Sequence, residues 1–436
     1  MIYSHFEKED NMKEYLQKIN YKEGVEKSGL PIIYDKDSVY ATKGNDHSLV
    51  IGATGSGKTQ TVVLPLTKLS MLAGESVIIN DPKSEIYTQT ANEFGNKGYN
   101  VIVIDFDETK YGNYYNPLSL AKRLYDEKNI DKCITILEDL GYYLFSSTSH
   151  ESDPFWTNSA SDYFTGLTLY LLEKNKEEVT LKNVFDLANK LLDDKDCEEF
   201  LREIGKDTPV FYSVSGTLTS PKETRGGIVS VFNQKLKRYV SRENLSNMMS
   251  KTDFDMSTIS NKKTAVFIKT GYNDYSSNLV SLFINQVFEA INIYGEKNKK
   301  VNIIIDEFDN LYPIKNFTEI INYSRSIGII FTFVIQGIVN LENIYGREKL
   351  AIIRLCIANI VYLYTSDLKT LDKISELCGY ESEKKPLISV EELKKVEPCE
   401  AVFLIPRVMP FKNKLVPDYK IDWGIEFKKE ELLLRK

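Results

Sequence analysis

Between the short apolar run His47-Ser48-Leu49-Val50-Ile51 and a predicted helix over Lys58–Ala73 stands the segment Gly52-Ala53-Thr54-Gly55-Ser56-Gly57-Lys58-Thr59. Its spacing is G-x-x-x-x-G-K-[ST], and no other feature constrains the chain as tightly. A loop that closes its backbone amides around phosphate oxygens needs glycines. The helix that follows must point its positive N-terminal end at the anion. Such a loop joins a buried strand to a helix, so the chain must build an α/β domain around it. Lys58 is expected to reach the β- and γ-phosphates of ATP, and the Thr59 hydroxyl to ligate Mg²⁺.

The rest of the chain supplies the sheet. Runs of five to seven residues rich in Val, Ile and Phe recur at Ser76–Asn80, Asn100–Asp105, Thr264–Lys269, Val301–Asp306, Ile329–Ile335, Asn359–Leu363 and Ala401–Ile405. Continuous apolar strands are buried on both faces, which predicts a parallel sheet covered by helices. Helices are expected at Glu85–Lys97, Asn278–Tyr294 and Asn316–Ser326, giving a doubly wound α/β domain. About 150 residues between Asp105 and Thr264 lack a buried strand and read as helix, at Ser119–Phe145, Ser159–Asn175, Leu181–Lys190 and Ser230–Tyr239. The expected organisation is therefore a nucleotide-binding domain over residues 1–115 and 225–436, interrupted by an all-α domain over residues 116–224. The tail Phe427–Lys436 is expected to form a short surface helix.

Composition excludes several classes. With 55 Lys plus Arg against 62 Asp plus Glu, the net charge of −7 argues against a generic basic nucleic-acid binder. No stretch is apolar for long enough to cross a membrane, and the first 20 residues lack a signal peptide's apolar core. Five separated cysteines without C-x-x-C fit a reduced compartment. Three histidines make a His-based metal site a poor expectation.

Other candidate site residues lie at strand ends, where ligands of open α/β sheets bind. The strand Val301–Asp306 ends in two carboxylates. Asp306 is expected to hold Mg²⁺ through its water shell, and Glu307 to orient and polarise the attacking water. Asp105 ends a strand without a second acid and is expected to be structural. Gln336 ends the next strand and could hydrogen-bond γ-phosphate and water. Arg325, before that strand, could act across a subunit interface on transition-state charge. The basic cluster Lys235, Lys237, Arg238 and Arg242 and the run Lys297–Lys300 are expected to be solvated faces, and the many Tyr and Phe to be packing. Asp81 and Lys83 fall near the phosphate edge with roles left open.

Taken together, these residues resemble the coupling-protein ATPases of conjugative DNA transfer, the TraG/TraD type within the FtsK/HerA translocase group. The resemblance runs from about Asp35 to Tyr419. It rests on Asn80-Asp81-Pro82-Lys83-Ser84-Glu85, Tyr115-Asn116-Pro117-Leu118, Phe155-Trp156 with Ala160, and Ile305-Asp306-Glu307-Phe308. It continues through Arg325 with Gly328-Ile329, Gln336 with Tyr345-Gly346, Lys385-Pro386-Leu387 and Ala401-Val402-Phe403-Leu404. The resemblance implies a RecA-like nucleotide-binding domain with an inserted all-α substrate-contacting domain. It also implies a ring hexamer at the inner face of the cell membrane, with ATP bound between subunits. The implied partners are relaxase-bound single-stranded DNA, or protein substrates, and the proteins of a type IV secretion channel. Family members usually carry transmembrane helices before the phosphate loop, where this chain has about 50 polar residues. Anchoring is therefore expected to be missing or to come from a separate partner, with a monomer expected in isolation. The rival expectations are a nucleotide-switched recruitment module that does not pump, and a soluble DNA translocase of the same superfamily.

Overall fold

The structure is a computed structural model and describes residues 3–145, 153–174, 177–271, 274–296 and 299–430. The chain divides into two compact units. Of the described residues, one takes in those up to 103, 256–270 and 291–430; the other takes in those within 104–255 and 271–290.

The first unit is built on strands, in chain order β1 (Gln17–Asn20), β2 (Pro31–Asp35), β3 (Ser38–Ala41), β4 (His47–Gly52), β5 (Ser76–Asn80), β6 (Asn100–Asp105), β7 (Thr264–Lys269), β8 (Val301–Ile305), β9 (Ile329–Ile335), β10 (Ile357–Tyr364), β11 (Tyr380–Ser382), β12 (Lys385–Pro386), β13 (Glu400–Leu404) and β14 (Phe411–Lys414). Nine of them form one sheet in the order β14-β13-β10-β4-β9-β8-β5-β7-β6. From β10 to β7 neighbouring strands are parallel, while β13 and β14 run antiparallel at the edge. The small antiparallel sheet β1-β3-β2 and the strands β11, β12 and β14 were not expected from the sequence.

Register aligns one edge of this sheet. Gly52 pairs with Tyr364, Ile51 with Ile335 and Asn80 with Ile305, so β10, β4, β9, β8 and β5 end together. Alternation along β9 divides its side chains between the two faces. Val334 joins Val50, Val77, Ala265, Ile304 and Val361 in the core cluster that includes Val62–Leu64 and Leu66. Phe331 and Phe333 stack at 5.4 Å on the other face, where Phe333 also meets Phe308 and Phe317.

Two expectations need correction here. The Lys297–Lys300 run is not a solvated face at Lys300, whose ammonium pairs with Glu75 at 3.0 Å and donates to Ser28 Oγ at 2.9 Å. Glu75 also accepts from Asn302 at 2.7 Å, so the lysine completes a buried polar knot. Lys297 and Asn298 lie outside the described residues. Nor does Phe427–Glu430 form a helix; the rest of that tail lies outside the described residues.

The second unit is helical. It contains Ser119–Asp126, Ile130–Phe145, Pro154–Lys174, Leu181–Lys190, Asp194–Ile204, Pro209–Leu218, Lys222–Val240 and Glu243–Met248, with Asp274–Tyr294 contributing as far as residue 290. The helix expected over Ser119–Phe145 is broken at Lys128, which takes φ 63°. Of the helix expected over Ser159–Asn175, Asn175 lies outside the described residues. Lys222–Val240 runs across residue 224, where the sequence suggested a boundary. Phe145 stacks on Phe232 at 5.4 Å, and Trp156 lies over Gly227, where a Cβ would stand 2.5 Å from the indole. Tyr115 donates to Gln286 at 2.7 Å, and Asn116 donates to the Val179 carbonyl at 2.8 Å, so the Tyr115-Asn116-Pro117 segment is a fastening. Asp105 accepts from the amides of Asp107 and Glu108, the structural turn expected for it.

Candidate nucleotide-binding site

The aligned strand ends leave a cleft of about 350 Å³, lined by Thr54, Gly55, Gly57, Lys58, Thr59, Gln60, Lys83, Glu85, Asp306, Glu307, Val334, Ile335 and Gln336. Every one of these residues belongs to the first unit.

The loop after β4 is shaped for close approach. Gly57 takes φ 92°, a region unfavourable to any residue with a Cβ. A Cβ on Gly52 would stand 2.3 Å from Ser56 Oγ and 3.0 Å from Lys58 Cγ. The Ala53 amide donates to the Tyr364 carbonyl at 2.6 Å, tying the loop to β10. The helix after the loop opens with a wide π-type turn, Thr59–Val63, before the α-helix Leu64–Leu72. Lys58 Nζ donates to the carbonyls of Gly52 and Ala53, the latter at 3.0 Å. Its ammonium therefore occupies the loop's own acceptors. Burial pulls its pKa below the ordinary lysine value, against the attraction of Asp306.

Across the cleft, the chain leaves β8 through a turn fixed at several points. The Asn80 side chain donates to the Asp306 carbonyl at 2.7 Å, and the Glu307 amide donates to Asp306 Oδ1 at 3.0 Å. Glu307 takes φ 55°, a conformation costing a non-glycine residue on the order of 1 kcal/mol or more. Its carboxylate lies 3.5 Å from Lys83 Nζ and accepts from Asn310 at 3.2 Å. Burial pushes the Asp306 carboxyl up to about 6, against the pull of Lys58. The half-buried Asp306 carboxylate and the Thr59 hydroxyl, which line the same cleft, are oxygen donors of the kind a hard divalent cation takes.

These positions settle what the sequence left open in the Asn80–Glu85 segment. Asp81 accepts from the amides of Glu85, Ile86 and Tyr87 at 3.1, 2.9 and 2.8 Å, so it caps the helix Glu85–Asn96. Lys83 is the cleft residue, through Glu307. Asp309, which sequence reading missed, does not line the cleft but bears on it: it is buried and accepts from the Gln336 amide at 3.1 Å. A contact to a main-chain amide 27 residues away leaves no trace in spacing or residue type.

The structure thus brings Lys58, Thr59, Asp306, Glu307 and Gln336 together, with Gly52, Ala53 and Ser56 forming the loop behind them. Arg325 is elsewhere. It stands in the turn before β9, whereas Gln336 follows β9; seven strand residues separate the two ends by roughly 23 Å. There Arg325 pairs with Asp46 at 2.7 Å, just before β4, at the opposite edge from the phosphate loop.

A family model described as "Type IV secretory system Conjugative DNA transfer" matches residues 4–396. The chain belongs to this family. The coupling protein TraD of Escherichia coli (strain K12) is 22% identical over 288 residues, which are 62% of this chain and 38% of TraD. This member of the conjugative DNA-transfer family therefore spans well under half the length of that relative. Plasmid coupling protein TrwB, solved in complex with the non-hydrolysable ATP analogue ADPNP, superposes with a TM-score of 0.72 at 15% identity, over 99% of this chain and 96% of that one. TrwB in complex with ADP and Mg²⁺ gives 0.66 at 14% identity, over 100% and 96%. The fold is that of these coupling proteins: a RecA-like P-loop nucleotide-binding domain carrying an inserted all-α domain. Among the described residues no helix is long and apolar enough to cross a membrane.

Proposed function

We propose that this chain hydrolyses ATP and couples the reaction to transfer of relaxase-bound single-stranded DNA, or of protein substrates, into a type IV secretion channel. The observation that carries the proposal is the single cleft in which Lys58, Thr59, Asp306, Glu307 and Gln336 converge. The family and the nucleotide-bound TrwB structures support it.

The loop amides and the Lys58 ammonium bind the phosphate chain, Lys58 exchanging its carbonyl partners for phosphate oxygens. Thr59, and Asp306 through the ion's water shell, would hold Mg²⁺, which would neutralise phosphate charge. Glu307, freed from Lys83, orients a water molecule whose oxygen bonds to the γ-phosphorus as the bond to the β-phosphate oxygen breaks. ADP leaves with that electron pair, and the water's proton passes by way of Glu307 to the departing phosphate. Gln336 hydrogen-bonds the γ-phosphate and the water. Arg325 serves a neighbouring copy, since it stands too far from its own cleft. The working form is then a homo-hexamer at the inner face of the cell membrane, and residues 116–224 recruit substrate.

The metal site carries a pH signature. Mg²⁺ needs Asp306 ionised, and burial raises that carboxyl to about 6. As pH falls through 6 the proton competes with the cation. The apparent Mg²⁺ affinity of the nucleotide complex should drop about tenfold per pH unit below 6 and stay level above it. Phosphate release titrated with Mg²⁺ at pH 5 to 8 measures this, with ADP binding in EDTA as the metal-free reference. No phosphate release at any pH would contradict hydrolysis, and a pH-independent Mg²⁺ requirement would remove Asp306 from the metal site.

A further inference from the structure

Gln336 is held by its main chain from two sides. Its amide donates to Asp309 Oδ2 at 3.1 Å, and its carbonyl accepts from the Thr365 hydroxyl at 2.8 Å. Asp309 comes from the turn Phe308–Asn310 that follows Glu307, and Thr365 from the residue after β10. Their relative exposures are 4% and 3%, so neither hydrogen bond competes with bulk water. The next residues are fixed as well. A Cβ on Gly337 would stand 2.9 Å from Asp367 Oδ2, and the Ile338 amide donates at 2.8 Å to Thr370 Oγ1, which in turn donates to Asp367.

A carboxylate is a costly way to satisfy one amide, because its second oxygen must also be desolvated. Asp309 Oδ1 has no hydrogen-bond partner among the described residues. A serine or asparagine could accept the same hydrogen bond without burying a charge. What the carboxylate adds is a stronger, charge-assisted grip on the residue that faces the cleft. It also ties that residue to the turn carrying Asp306 and Glu307, so the groups on two strand ends keep one geometry.

We infer that Asp309 is a positioning residue, which sets the place of the Gln336 side chain in the cleft through the Gln336 main chain. The inference rests on the hydrolysis reading above. Asp309 does not line the cleft, so its loss should act on turnover far more than on binding. Misplacing a reacting group by about an ångström costs on the order of 10²-fold in rate.

The test is steady-state ATP turnover of the full chain, with ADP affinity measured by calorimetry. Asp309→Ala should lower kcat by about 10²-fold while KM and the ADP Kd stay within about threefold of wild type. Asp309→Asn, which keeps an acceptor for the amide but not the charge, should recover part of kcat. Thr365→Val, which releases the other side of Gln336, should lower kcat in the same sense. In a Gln336→Ala background Asp309→Ala should lower kcat no further, since the two act as a unit. A silent Asp309→Ala, a defect that multiplies with that of Gln336→Ala, or an ADP affinity falling as far as kcat would each overturn the inference. Glu307→Gln separates this from the parent reading. If it is inactive while Asp309→Ala is silent, the positioning role alone fails; if it turns over like wild type, Glu307 does not orient the water, and the reading of this cleft as the hydrolysis site fails with this inference.

Discussion

Lys58→Ala is expected to lower ATP turnover by at least about 10²–10³-fold, the loss that follows removal of one preorganised donor to transition-state charge. Nucleotide affinity should fall with it. The physical reason lies in the company Lys58 keeps. Asp306, Asp309 and Glu307 all bear on its charge, with Lys83 opposing them. Without the ammonium, a polyanionic nucleotide would meet the cleft carboxylates Asp306 and Glu307 offset by half-exposed Lys83. The fold should survive, because among the described residues Nζ donates to the carbonyls of Gly52 and Ala53 in its own loop and to no other element. Phosphate release, calorimetric nucleotide binding and a thermal melt would read the three expectations. A variant with wild-type turnover would remove the cleft from the chemistry, and one that melts early would make Lys58 a structural residue.

Much of this site was legible because phosphate chemistry tolerates few residue types. The Gly52–Thr59 loop and the apolar strand running into Asp306-Glu307 could be read directly, and both reach the same cleft. The buried strands were equally plain, since β4, β5 and β8 are buried at every position and are mostly Val, Ile and Leu. Other elements gave no such signal. Strands β1 (QKIN) and β14 (FKNK) are short, polar and only partly buried, so neither continuous hydrophobicity nor clean alternation marks them. The helix Ile338–Cys356 escaped notice because Gly346 breaks it at φ 74°, interrupting the 3.6-residue pattern. Lys300 reads like any surface lysine, and only the fold supplies Glu75 beside it. The same holds for Lys83 with Glu307 and for Asp309 with Gln336. Such pairs are set by which strand ends adjoin, not by sequence spacing.

Arg325→Ala should lower turnover of the assembled protein by about 10³–10⁵-fold, the range for arginines that act on a transferring phosphoryl group. It should leave an isolated monomer's residual rate unchanged. Both follow from the placement of Arg325 beside Asp46, a strand's length from its own phosphate loop. The mixing experiment is the stronger test. Arg325→Ala chains retain a complete cleft, and Lys58→Ala chains retain the arginine. Combined, they should recover part of the turnover that each lacks alone, in proportion to the mixed contacts formed. Two inactive variants can restore each other only if a site is shared between chains. A silent Arg325→Ala in an assembly shown by sedimentation, or a mixture as inactive as its components, would rule out the shared site.

If hydrolysis at this cleft is coupled to a transferred substrate, that substrate should change the rate. ATP turnover of the wild-type chain, measured with and without single-stranded DNA at stated salt, addresses it most directly. DNA should raise turnover severalfold, the increase should shrink as salt rises, and Lys58→Ala should abolish it. Tight binding of DNA with turnover unchanged would contradict that coupling and leave a nucleotide-switched recruitment module in its place.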